Sequence, residues 1–65
     1  MKILVNGKQR EVASAELVAV LNELGYCNAV IATALNGAFV PISARANTCV
    51  TDYDRLEIVA PMQGG

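Results

Sequence analysis

Histidine is absent from the sequence, aromatic residues make up only 5% of it and charged residues 17%. Without histidine the chain lacks the usual side chain for proton transfer near neutral pH and the commonest nitrogen ligand for a metal. Self-contained catalysis is therefore not expected. Cysteine occurs twice, as Cys27 and Cys49, and this spacing forms neither a CxxC pair nor a zinc pattern. Both are expected as reduced, small, buried or half-buried side chains rather than reactive thiols. Cys27 follows the C-terminal end of an expected helix, where the dipole has the wrong sign to activate a thiolate, and Cys49 has only Arg45 near it in sequence. Apolar residues are interrupted every few positions, so no run approaches the roughly 20 residues that span a bilayer. Met1-Lys2-Ile3 opens no signal-peptide pattern, and the chain is expected in the cytoplasm, off the membrane. Five basic residues against six acidic ones give a net charge of −1 with no basic cluster, which excludes the usual nucleic-acid footprint.

What is present is apolar. Hydrophobic residues are 54% of 65, enough for one packed domain, although a chain of this size buries only about 60% of its extended surface on folding. Residues 2–6 alternate, with Ile3 and Val5 on one face and Lys2, Leu4 and Asn6 on the other, the period of a half-buried strand. Asn6-Gly7 suits a type I′ turn, returning residues 8–13 antiparallel. Ser14 is positioned to cap a helix and Glu16 to lie in its first turn. Leu17, Val20, Leu21 and Leu24 then form one apolar stripe, read as core-facing rather than as a partner groove, and Gly25 ends the helix with a left-handed cap. Residues 30–35 read as a strand with Ile31, Thr33 and Leu35 on one face and alanines on the other. A second Asn-Gly, at 36 and 37, turns it into residues 38–40, which Pro41 confines to an edge or ends. Residues 43–51 read as a loop crossing with room for one helical turn. The Asp52-Tyr53-Asp54 turn leads into a last alternating strand at 56–60. No repeat, low-complexity run or linker interrupts residues 1–60, which read as the domain, with residues 61–65 as a flexible tail.

That tail, Pro61-Met62-Gln63-Gly64-Gly65, cannot extend a ladder well. Fully extended it reaches on the order of 17 Å at about 3.4 Å per residue. Terminal glycines are common at frayed ends. They also let a backbone without Cβ atoms enter a narrow channel and bring its carboxylate to a nucleotide phosphate. A carboxylate is a poor acylating group until adenylation supplies a leaving group, after which a sulfur or nitrogen nucleophile can attack. The reacting group in that reading is the carboxyl of Gly65.

The stretch Ile31-Ala32-Thr33-Ala34-Leu35-Asn36-Gly37-Ala38-Phe39-Val40-Pro41, the later Asp52-Tyr53-Asp54-Arg55-Leu56-Glu57-Ile58-Val59 and the final Gln63-Gly64-Gly65 resemble the ThiS family, the sulfur carriers of thiamin biosynthesis. The resemblance covers nearly the whole chain. It implies an α+β, ubiquitin-like β-grasp fold, with a mixed sheet of four to five strands on one main helix. It implies a carrier protein rather than an enzyme, with no cofactor of its own. It implies that a partner similar to ubiquitin-activating enzymes would use ATP and magnesium to adenylate Gly65, with Gly64, Gln63 and Met62 recognised as the tail. The same resemblance implies that a cysteine-derived sulfur donor protein would convert Gly65 to a thiocarboxylate and that thiazole synthase would accept the sulfur. The chain departs from the family pattern in two places. Tyr53 replaces a usual glycine, where a positive φ is costly and a differently shaped turn is expected. Ile42 replaces an often basic residue after Pro41.

Strand parity supplies a partner surface. If Ile3, Val5, Leu56 and Ile58 face the helix, then Leu4, Glu57 and Val59 point to the other side of the sheet, where Leu4 and Val59 could form an apolar docking patch or be ordinary exposed hydrophobes. Three other readings compete. The small subunit of molybdopterin synthase shares the fold and a Gly-Gly end but is usually longer. A ubiquitin-like modifier would become joined through Gly65 to lysines of other proteins. A plain interaction module would be indifferent to loss of Gly64 and Gly65.

Overall fold

In a computed structural model of the protein, which describes residues 1–61, the chain runs β1 (Lys2–Val5), β2 (Lys8–Glu11), α1 (Leu17–Glu23), β3 (Ala32–Leu35), β4 (Ala38–Val40), α2 (Ile42–Arg45) and β5 (Arg55–Val59). The strands form one sheet in the order β2-β1-β5-β3-β4. Only the central β1–β5 pair is parallel, with Leu4 opposite Arg55 and Val5 opposite Leu56. The other pairs are antiparallel, giving the mixed sheet and single main helix expected from the sequence. The loop crossing at 43–51 does contain one helical turn, starting one residue earlier, at Ile42.

Both hairpins turn on Asn-Gly. Asn6 and Gly7 have φ of 50° and 83°, Asn36 and Gly37 of 52° and 86°, so each pair holds the two positive angles that a type I′ turn demands. The expected alternation follows: Ile3, Val5, Leu56 and Ile58 are buried, and β5 reads exposed, buried, exposed, buried, exposed along its length. Leu17, Val20 and Leu21 of α1 close over this face together with Val12, Ile31, Val40 and Val50, and Leu24 is half-buried at the edge of the stripe. Gly25 takes φ 92°. Its N–H donates to the carbonyl of Asn22 at 3.1 Å and the Tyr26 N–H to that of Leu21 at 2.9 Å, a Schellman closure.

Five local expectations are corrected. Ser14 does not cap α1. The helix begins at Leu17 behind Glu16, which is outside the first turn and makes no side-chain cap bond. Tertiary backbone pairing replaces a cap: the Leu17 N–H donates to the Thr48 carbonyl at 2.9 Å, and Glu16 forms an antiparallel bridge with Cys49. The Ser14 N–H instead donates to Glu23 Oε2 at 2.8 Å, beside the Ala13 N–H on Oε1 at 2.8 Å. Those bonds, first the one from Ala13, hold the Glu23 carboxyl below its ordinary pKa. The stabilisation they give is present above the carboxylate range and is lost as pH falls through it.

The third strand starts at Ala32 rather than at residue 30. Its last pair with β5 is Ala32 with Val59, and beyond that register β5 approaches Pro61, which has no N–H to give. Val30 is consequently left 79% exposed. Cys27 and Cys49 are both exposed and free, against the expectation of burial. Cys27 lies just past the helix cap, and Cys49 precedes buried Val50, so alternation turns it outward.

The turn before β5 keeps the left-handed residue that its tyrosine was expected to disfavour. Tyr53 has φ 66°. Its N–H donates to the Lys2 carbonyl at 2.6 Å, the Lys2 N–H returns a bond to Asp52 Oδ1 at 2.8 Å, and Asp54 N–H reaches the Thr51 carbonyl at 3.1 Å. A left-handed non-glycine residue costs about 1–2 kcal/mol, and these bonds hold it there. Because the Tyr53 side chain is 73% exposed, Tyr53→Gly should forfeit little packing. After subtracting glycine's extra chain entropy it is expected to stabilise the domain by about 0.5–1 kcal/mol. Thermal unfolding followed by circular dichroism checks this, and a lower midpoint would show that the ring contributes more than the strain costs.

Candidate functional site

The residues that the sequence associates with chemistry, Gly65, Gly64, Gln63 and Met62, lie outside the described residues. What is described is the strand that leads to them. β5 is the middle of the sheet, and asparagine side chains grip it on both flanks. Asn6 donates its backbone N–H to the Leu56 carbonyl at 2.9 Å, and its amide both donates to the Ile58 carbonyl at 3.0 Å and accepts from the Ile58 N–H at 2.8 Å. The β1 backbone has already turned away at this point, so the side chain continues the parallel ladder in its place.

Asn36 does the same from the other hairpin. Its N–H donates to the Arg55 carbonyl at 2.7 Å, its Oδ1 accepts the Arg55 N–H at 2.9 Å, and its Nδ2 donates to Asp54 Oδ1 at 3.0 Å. Partial burial would raise the Asp54 pKa, but bonds from Thr51 and Asn36 outweigh it and hold the carboxyl below its ordinary value. Sequence reading assigned these asparagines to turns only. The missed signal is that asparagine combines tolerance of positive φ with an amide shaped like a peptide bond.

On the side of the sheet away from α1, parity places Leu4, Glu57 and Val59 together. Leu4 is half-buried, Glu57 exposed and Val59 65% exposed. Leu4 lies in a shallow depression of about 220 Å³ with Gly7 and Arg55, and Val59 in a second, of about 230 Å³, with Ala32, Ala34 and Phe39. Glu57 lines both and forms no ion pair among the described residues. Phe39, 69% exposed and opposite Ala34 in the β3–β4 register, is the residue that sequence reading left out. Since Val40 faces the core, its neighbour in the strand must face the other way, so the signal was present.

Among the described residues no three His, Cys, Asp or Glu side chains come together as a metal site, and no helix is long and apolar enough to cross a membrane. A five-stranded mixed sheet on one main helix, with an open face beside the strand that runs into the chain's last residues, defines a ubiquitin-like β-grasp protein. The crystal structure of a thiamine biosynthesis protein (ThiS) from Geobacter metallireducens has the same fold, with a TM-score of 0.81 at 33% identity over 100% of both chains. A thiazole synthase of Paramagnetospirillum magneticum is 42% identical over 66 residues, covering 100% of this chain and 20% of that protein. The chain thus spans about a fifth of the length of the curated relative it matches. The ThiS family model matches residues 3–65. The chain belongs to the ThiS family, the small sulfur carriers of thiamin biosynthesis.

Proposed function

We propose that the carboxylate of Gly65 is the group that carries sulfur. The observation that supports this most is that the family match runs through the final Gln63-Gly64-Gly65. An adenylating partner, similar to ubiquitin-activating enzymes, joins the Gly65 carboxylate to AMP from magnesium-bound ATP and releases pyrophosphate. The terminal sulfur of a persulfide on a cysteine-derived donor protein attacks the carbonyl carbon, and AMP leaves. A second thiol then cleaves the acyl disulfide, leaving a thiocarboxylate on Gly65 and a disulfide on the partner. Transfer of that sulfur to the growing thiazole ring, with water supplying the oxygen, restores the carboxylate.

Thiazole synthase is the proposed acceptor, because a relative bearing that name contains a segment matching this whole chain. A matching segment joined to that enzyme in one polypeptide supports a contact between the two. The carrier supplies recognition, through Leu4, Glu57 and Val59 with Phe39 beside them, and the partners supply catalysis. The setting is the cytoplasm, where ATP is available and exposed thiols stay reduced.

Intact mass spectrometry of the protein, purified from cells that also express its activating partner, is expected to show one oxygen-to-sulfur exchange located at Gly65. An unmodified terminus, with Gly65 joined to lysines of other proteins, would replace the carrier by a modifier. Residues found beyond Gly65 would remove the reacting carboxylate altogether.

A further inference from the structure

A groove of about 460 Å³ lies on the helix side of the domain, away from the sheet face discussed above, between α1, the 26–29 loop and α2. Its walls include Val18, Leu21, Tyr26, Cys27, Ile42 and Arg45. Val18 and Ile42 are apolar yet 42% and 74% exposed. Neither contributes to the core, and both border the same open groove.

Arg45 gives the groove its sign. The guanidinium is half-buried, and it donates from Nε to Thr33 Oγ1 at 3.2 Å and from Nη2 to the Ile31 carbonyl at 2.6 Å. Both acceptors are neutral. Thr33 Oγ1 itself donates to the Val40 carbonyl at 2.9 Å, so this network fastens α2 to β3 without neutralising the charge. Among the described residues no carboxylate lies within ion-pair distance of Arg45, and no acidic residue lines the groove. Glu23, the acidic residue of α1, has both oxygens engaged by Ala13 and Ser14. An arginine has five N–H donors in a planar fork, and only two bonds are made here. Fastening α2 needs those two bonds but not a cation. A half-buried cation that shares a groove with exposed aliphatic side chains is matched by a carboxylate flanked by apolar groups.

We infer that this groove docks an acidic, apolar-flanked peptide segment of a partner protein, with the carboxylate on Arg45 and aliphatic side chains against Val18 and Ile42. The groove and the sheet face lie on opposite sides of the domain, so the groove stays open while the sheet face is engaged. One partner can therefore hold the domain by its helix side while another handles the strand leading to the last residues. The inference holds whether or not Gly65 carries sulfur.

The test is a titration of the isotopically labelled protein, followed by amide NMR, with an acetylated and amidated tetrapeptide of alternating leucine and glutamate. The matched lysine peptide serves as the control. The glutamate peptide is expected to bind with a Kd on the order of 1 mM, shifting the amides of Val18, Cys27, Ile42 and Arg45. Affinity should fall about tenfold for the lysine peptide and about tenfold in Arg45→Gln. The comparison of peptides on the unaltered chain stands even if Arg45→Gln perturbs the fold. Equal binding of both peptides, shifts confined to Leu4, Phe39 and Val59, no shifts at all, or full affinity in a folded Arg45→Gln would each overturn the inference.

Discussion

Replacing Leu56 by alanine is expected to leave most of the chain unfolded at physiological temperature. Leu56 is 0% exposed and sits in the middle strand, opposite Val5 on one side and Leu35 on the other. Removing its branched side chain takes away buried area and leaves a cavity among Ile3, Leu17 and Val20, which are themselves fully buried. Such a change costs about 2–5 kcal/mol. A domain this small rarely has more than about 3–5 kcal/mol in total, so the loss is of the order of the whole stability. Chemical denaturation should show it, with Val59→Ala as a control that changes little because Val59 is 65% exposed. A Leu56→Ala protein that melts cooperatively near the parent midpoint would mean that the core is not centred on β5.

Val59→Asp and Leu4→Asp are expected to reduce activation by the proposed adenylating partner by roughly 30-fold each, the effect of losing an interface residue worth about 2 kcal/mol. The two substitutions differ in what they do to the free protein. Val59 is solvent-facing, so an aspartate there costs mainly strand propensity, on the order of 1 kcal/mol or less. Leu4 is half-buried, and its aspartate also lowers stability. Val59→Asp is therefore the deciding variant. ATP–pyrophosphate exchange measured against carrier concentration should show a raised KM with a folded protein by circular dichroism. An unchanged KM in the Val59 variant would remove the outer sheet face from the contact and leave the tail as the sole recognition element.

Much of this fold was legible because its signals are local. Two Asn-Gly pairs specified both hairpins, since few residues tolerate two successive positive φ angles. Strand alternation specified which side chains enter the core, since a strand repeats every two residues. The stripe at Leu17, Val20 and Leu21 and the glycine after it placed the body and the end of α1. Two of the errors fell where a distant segment took over a local role. Ser14 is a good cap by type, but the 48–50 segment satisfies the start of α1 instead. Tyr53 is a poor left-handed residue by type, but bonds to Lys2 hold it there.

By itself the sequence determined an α+β fold and the inward and outward faces of its strands. These follow from backbone sterics and hydrophobic period, which act between residues close in the chain. Only the tertiary structure decided that the first and last strands pair in a parallel register that lets Asn6 grip Ile58 across the chain. It alone brought Phe39 next to Val59 and Glu57, and left Arg45 facing a groove without a carboxylate. The physical reason is common to all three. Pairing between segments far apart in sequence depends on which apolar faces bury each other, and that competition is settled only when the whole sheet has closed over α1.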